Sequence, residues 1–316
     1  MALNSSGPIS LAGTTAGVSI QVELGGTGTT QISLNDASVR TLAGVATGAI
    51  TMPTNFYGKS NRVTRTLTIA ATTQNYVLNT AKVTGYVAGG TDVTLTINAG
   101  VVVGSASTGS YAFTVNTSWA AGDTVTVVNN GYVVGAGGDG GAGSNGDSSG
   151  NDTTGGSGTS GGPAVLVQRT TSWTNTSGVC GGGGGGGGGS GATSTFNGAV
   201  YDTAGGAGGG GGRGYNGGSG GTLGLGGTNG SAGGAGNYLS AGSGGTGANQ
   251  FGDQYSGNGG AGGDLGSAGS TANYGFGQDG QGFPGSGGAG GACLVGKSFV
   301  NGGAGITGGT TGGSQT

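Results

Sequence analysis

The chain contains no histidine, only two cysteines and four prolines, and few charges: Asp, Glu, Lys and Arg together make up 6% of its 316 residues. Without histidine, neither Ser-His-Asp nor Cys-His nucleophilic machinery can be built, and the commonest transition-metal ligand is missing. The two cysteines, Cys180 and Cys293, are too few for a disulfide framework and have no histidine with which to share a metal. They read as buried small residues or as one mutual disulfide. The basic residues are scattered and offer no face that could displace counterions from phosphates, so no nucleic-acid partner is expected. No apolar run approaches the roughly 18 residues needed to cross a bilayer, so no membrane insertion is expected. The first residues lack the basic and apolar regions of a signal peptide, and synthesis in the cytoplasm without a leader is the expectation. So few prolines also exclude collagen.

What the chain has is glycine, 90 residues in all or about 28%. Glycine makes up about 13% of the first 134 residues and about 40% of the rest. A flexible linker has no need for phase, yet Gly205, Gly208, Gly211, Gly214, Gly217 and Gly220 fall on one three-residue column. Gly206, Gly209, Gly212, Gly218 and Gly221 fall on a second, and Ala207, Gly210, Arg213, Asn216, Ser219 and Thr222 on the third. The pattern recurs in 135–146, 257–269 and 285–292. Three residues per turn is the period of the polyproline-II-type helix, which has no internal hydrogen bonds. Its backbone groups must pair with neighbours, and columns of glycine let neighbours approach. A bundle of polyglycine-II helices is predicted for 135–316. The run Gly181–Gly189 breaks any Gly-X-Y rule.

Bulky residues gather in islands between the tracts: Phe196 and Tyr201, Tyr238, Phe251 and Tyr255, and Tyr274, Phe276 and Phe283. Aromatic, polar, nearly uncharged loops suit recognition; packing at the ends of the bundle is the plainer reading. Residues 61–134 are dense in β-branched residues with period-two alternation and glycine turns, and an antiparallel β domain is predicted. In 1–60, Val18–Leu24 and Gln31–Leu34 read as small strands, and Asn35–Ala43 as a short helix capped by Asn35 or Asp36 and stopped by Gly44. The fold class expected is mainly β and irregular.

Ile20-Gln-Val-Glu-Leu24, Gln31-Ile-Ser-Leu-Asn-Asp-Ala37, Val39-Arg-Thr-Leu-Ala-Gly44 and Phe56-Tyr-Gly-Lys-Ser60 resemble the N-terminal segment of many tailed-bacteriophage virion proteins. That resemblance implies a module, residues 1–60, that docks on other phage tail proteins through Ile20, Val22, Leu24, Ile32, Leu34, Phe56 and Tyr57. Asn98–Gly104 and Asn129–Gly135 resemble the β segment that introduces glycine-rich domains in phage tail proteins. The glycine tracts and islands of 135–316 resemble the distal adhesins of T-even-like long tail fibres. The resemblance implies a protein of the distal tail that binds a bacterial outer-surface receptor, protein or glycan, with trimers known among phage fibres. A structural tail component without receptor contact is the competing reading, and an ice-binding bundle a third, opposed by the irregular aromatic islands.

Other signals are weak. Gly291–Ser298 matches GxxxxGK[ST], but Phe299-Val-Asn-Gly-Gly cannot propagate the helix a phosphate-binding loop needs. Gly259–Asp264 matches only the opening of a calcium-binding nonapeptide. A paired-carboxylate glycosidase could draw only on Asp202, Asp253, Asp264 and Asp279 in the loop region, and nothing in the sequence pairs them. No catalytic residue, metal or cofactor is expected.

Overall fold

The computed structural model describes residues 2–199, 201–250 and 254–316. The chain divides into two compact units, one comprising Met1–Leu67, Thr80–Thr94 and Ser118–Val125, the other Thr68–Asn79, Leu95–Thr117 and Thr126–Thr316. It is mainly β, with little helix.

In the first unit the small strands expected before residue 35 do not form. Val18–Leu24 instead contains helix α1 (Ile20–Glu23), whose N-cap Ser19 accepts the Val22 amide at 3.3 Å. Alternation over so few residues leaves Ile20 and Leu24 one helical turn apart, and the capping hydroxyl favours the helix. Gln31–Leu34 is irregular. Helix α2 (Ala37–Ala43) lies where its caps indicated, with Asp36 before it and Gly44 at φ +71° after it. Leu3, Ile20, Val39, Leu42, Ala43 and Phe56 form the buried core, ringed by Leu24, Ile32 and Leu34. The segment expected to be a small β domain is therefore a helix-and-loop unit with its own apolar centre.

The β-rich region is also not the antiparallel domain its alternation suggested. Strands β1 (Val63–Ile69), β2 (Thr73–Gln74) and β3 (Tyr76–Leu78) are followed by β4 (Thr91–Ile97), β5 (Val102–Gly104) and β6 (Phe113–Val115). Then come β7 (Thr124–Asn129) and β8 (Tyr132–Val134), an insertion holding β9 (Thr153–Thr154), and β10 (Val165–Val167). Next are β11 (Thr171–Asn175) and β12 (Val179–Gly181), after which a long insertion precedes the short strand Leu294–Val295. Three sheets collect these strands in the orders β1-β4-β7-β11, β2-β5-β8-β12 and β3-β6-β10. The chain thus winds through the same three sheets in the same sequence, coil after coil. Within the second and third sheets the pairing is parallel: Val103 lies opposite Val133 and Val133 opposite Cys180, while Phe113 lies opposite Val165 and Val165 opposite Leu294.

The corners explain the difference. Asn98-Ala-Gly100 and Asn129-Asn-Gly131 bend the chain into the next sheet instead of reversing it along its own strand; Val101 donates to Asn98 O at 3.2 Å, and Gly100 sits at φ +76°. Asn175-Thr-Ser-Gly178 repeats the corner one coil later. Buried Asn129 donates its Nδ2 to Asn175 Oδ1 at 2.9 Å and to Val179 O at 3.1 Å, so successive corners are tied by their amides. Alternation and glycine turns are equally compatible with a hairpin and with this solenoid.

The glycine tracts are two insertions, 135–164 and 182–293, both placed between a second-sheet and a third-sheet strand. Their backbone hydrogen bonds step every three residues. Gly183, Gly186 and Gly189 donate to Gly162, Thr159 and Gly156 at 2.8–2.9 Å. Gly184, Gly187 and Ser190 donate to Arg213, Gly210 and Ala207, and Gly185 and Gly188 to Ser267 and Ser270. The carbonyls of the same run accept in turn from Gly138 and Gly141, from Gly260 and Gly263, and from Gly285, Gly288 and Gly291. The run 183–190 is consequently bonded to six neighbouring stretches, and all its residues are buried. A Cβ at Gly183 would overlap Ala136 O, at Gly184 Gly263 O and at Gly185 Gly288 O. Unbroken glycine is required here because no column faces outward. In the peripheral tracts one column does: Asp139, Ala142, Asn145, Asn216, Ser219, Thr222, Asn258, Ala261, Ser286 and Ala289 are exposed.

Candidate functional site

Hairpin β13 (Thr193–Phe196) and β14 (Tyr201–Ala204) pairs Phe196 with Tyr201, and their rings lie 5.2 Å apart. Strands β15 (Asn249–Gln250) and β16 (Gln254–Tyr255) form a second, shorter antiparallel pair. Tyr255 bridges Phe276, ring centroids 6.3 Å apart, and Gly275 bridges Gly282. Strand β17 (Gly282–Phe283) pairs in parallel with β9, and Phe283 meets Tyr274 edge to face at 6.0 Å. Ser194 bridges Gly280. The islands 193–204, 254–256 and 273–283 therefore assemble into one site, together with 152–154, which sequence reasoning did not include.

Polar side chains fix the assembly. Gln254, 1% exposed, donates its Nε2 to Thr193 O at 2.8 Å and to Asp202 O at 3.0 Å, tying both strands of the first hairpin. Asp279 Oδ2 accepts the Phe196 amide at 2.7 Å, Thr195 Oγ1 accepts the Gln278 amide at 3.1 Å, and Asp152 Oδ1 accepts the Gln281 amide at 2.7 Å. Asp202 accepts from Asn197 Nδ2 at 2.8 Å. These residues carried no positional signal in the sequence, because their partners lie up to 129 positions away.

The rings themselves face solvent. Tyr274 is 68% exposed, Tyr255 50%, Phe196 and Phe276 48% and Phe283 39%. Large apolar side chains held in water in pairs, on a hydrogen-bonded support, form a surface suited to burying a partner's apolar or stacking groups. Tyr201 is half-buried, its ring tilted against that of Phe196. Phe251 and Asp253 lie outside the described residues. Tyr238 stands apart from this group: its ring packs on Tyr132 at 6.2 Å, and its carbonyl accepts from Arg213 Nε at 3.0 Å.

The remaining carboxylate of interest, Asp264, pairs with Arg213 at 2.6 Å. Burial works to raise its pKa, but hydrogen bonds from Arg213 and the Leu265 amide outweigh it and hold the carboxyl below the ordinary range. In the GxxxxGKS segment the amides of Gly291, Gly296 and Lys297 donate to Gly183 O and Thr316 O, so its loop is committed to backbone pairing rather than open to a phosphate. Among the described residues no group of three or more His, Cys, Asp or Glu is arranged to hold a metal.

Of the N-terminal residues expected to meet a partner, Ile20 and Phe56 are wholly buried and shape the unit from within. Val22, Leu24, Ile32, Leu34 and Tyr57 are half-buried, and Tyr57 donates its hydroxyl to Gly7 O at 2.9 Å.

Among solved structures, the gp37-gp38 adhesin tip complex of the bacteriophage S16 long tail fiber matches with 24% identity and a TM-score of 0.45, over 97% of this chain and 100% of that one. No curated protein matches the chain. The family model of the phage tail fibre adhesin Gp38 matches residues 64–314, a span that takes in the β coils, both glycine insertions and every aromatic island, and the chain belongs to that family.

Proposed function

We propose that this adhesin attaches the phage to its host through the aromatic site formed by Phe196, Tyr201, Tyr255, Tyr274, Phe276 and Phe283, with Phe251 in the same island and Tyr238 at a separate position. The observation that carries the reading is the group of exposed aromatic pairs on a hydrogen-bonded support. The glycine stretches are read as polyglycine-II helices, supported by the three-residue stepping of their hydrogen bonds and by the exposed third column. Such a support holds the loops in place before contact and lowers the ordering cost of binding. The ligand is a bacterial outer-surface protein or glycan, and the low charge makes attachment insensitive to salt.

Residues 1–60 form the module that docks on other tail proteins, 61–134 the β region and 135–316 the receptor-binding tip. Several copies per virion, as a trimer or otherwise, convert weak contacts into firm attachment. The protein acts by binding without catalysis: Asp202, Asp264 and Asp279 are engaged in hydrogen bonds or an ion pair.

The test is exchange of segments 193–204, 249–256 and 273–283 for those of a related phage. A moved host range with normal tail assembly supports the reading. Failed assembly with unchanged adsorption by intact particles overturns it in favour of a structural tail component.

A further inference from the structure

The two cysteines of the chain belong to the same coil, Cys180 within β12 and Cys293 directly before the strand Leu294–Val295. Cys180 stands in the register column of Val103 and Val133, all wholly buried. Cys293 directly precedes Leu294, as Ala112 precedes Phe113 and Ala164 precedes Val165, and these three are again wholly buried and in register. One coil therefore carries Val103 with Ala112 and the next Val133 with Ala164. The coil after that replaces both residues at once by cysteine.

The sulfur atoms face each other at 2.8 Å, closer than two unbonded thiols pack, and Cys293 O lies 3.7 Å from Cys180 Sγ. The Cys293 backbone is anchored on both sides, its carbonyl accepting the Val165 amide at 3.0 Å and its amide donating to Ser314 O at 2.9 Å. This coil is also the one interrupted by the longer glycine insertion. Cys180 stands two residues before Gly182, and Cys293 directly follows Ala292. The pair thus sits at the neck of the segment that carries the aromatic site.

We propose that Cys180 and Cys293 form a disulfide that closes the root of the longer glycine insertion. In the reaction with a low-molecular-weight disulfide such as oxidised glutathione, the thiolate of one cysteine attacks a reagent sulfur, expelling one thiol and leaving a mixed disulfide. The thiolate of the second cysteine attacks the protein sulfur of that mixed disulfide and expels the second thiol. The protein loses two electrons and two protons, and the reagent gains them as two thiols. Burial pushes the Cys180 thiol well up, so the exchange takes place while the neck is open, during folding or in a transient opening. The bond restricts the unfolded chain over a separation of 113 residues, a long loop for which the stabilisation is large. The inference does not depend on what the aromatic site binds.

The full-length protein, purified in air and incubated with oxidised glutathione, is denatured in iodoacetamide and its intact mass measured. The expected product carries no alkyl group, weighs two hydrogens less than the dithiol chain and yields a peptide linking Cys180 to Cys293. Two alkylated cysteines would overturn the proposal. A reductant should lower the thermal midpoint of the wild-type protein by several degrees. It should leave unmoved a variant that restores the pair of the preceding coil, Cys180→Val with Cys293→Ala. An oxidised wild type whose midpoint ignores reductant would overturn the stapling role.

Discussion

The amide of Gly187 lies 2.8 Å from the carbonyl oxygen of Gly210, in the middle of a run whose neighbours close in on every side. A Cβ at Gly187 would overlap Gly260 O. Gly187→Val is therefore expected to cost at least about 3 kcal/mol or to prevent folding of the glycine region. Ala289→Val, on an exposed column, is expected to change stability by less than about 0.5 kcal/mol. Thermal unfolding of the two variants checks the contrast, and equal effects would contradict the central placement of 183–190.

Tyr274 and Phe276 lose little packing on truncation, being 68% and 48% exposed. Tyr274→Ala with Phe276→Ala should leave the melting temperature within a few degrees of wild type while slowing adsorption to host cells about tenfold or more, the usual weight of aromatic anchors. An adsorption assay with purified particles decides it; unchanged adsorption places receptor contact elsewhere.

Gln254 tests whether the islands are held by their buried amide. Gln254→Ala removes the amide group whose hydrogen bonds the carbonyls of Thr193 and Asp202 accept, at a cost of about 1–3 kcal/mol. Hydrogen exchange should accelerate in 193–204 while the amides of 183–189 remain slow. Uniform acceleration in both would mean that the islands and the tracts open together.

The legibility of the chain was uneven, for identifiable reasons. The three-residue phase of 205–222 matches the three-residue stepping of the backbone bonds, because steric demand acts on each residue where it stands, but its side-chain column faces outward only at Asn216, Ser219 and Thr222, with Ala207 and Gly210 buried. The direction of β pairing was not legible: Asn98-Ala-Gly100 is as good a turn for a hairpin as for a corner, and the partner of Val103 is Val133, a whole coil away. The third copy of the corner, Asn175-Thr-Ser-Gly178, was there to be aligned with the first two and would have disclosed the winding. Helix α1 was hidden because a single turn shows the same apolar residues as a short strand. The aromatic residues of the site could be picked from composition, but Gln254 and Asp152 could not, since their roles arise only when distant segments meet.

The pairing of Arg62 with Asp92, at 2.6 Å, supplies a pH-dependent element. The hydrogen bond from Arg62 holds the Asp92 carboxyl below its ordinary value of 3.8. A carboxyl whose native pKa is lowered stabilises the fold above its unfolded value and loses that contribution as pH falls through the native one. Both groups are partly exposed, so the effect is expected to stay below about 1 kcal/mol. The thermal midpoint should fall on acidification below about pH 4, and Asp92→Asn should lower it at neutral pH and flatten that part of the profile. An unchanged acid slope in the variant would assign the dependence to other carboxyls.

The three-residue stepping of the backbone bonds sets a rule for how such a gene can change. Removing one residue from a tract would rotate every later carbonyl away from its acceptor position and turn an outward serine or asparagine into the bundle. Removing a full turn shortens the tract and leaves each remaining residue on its own column. Tracts in relatives should therefore differ in length by whole groups of three codons, while the aromatic segments between them are free to vary in any length the chain can close.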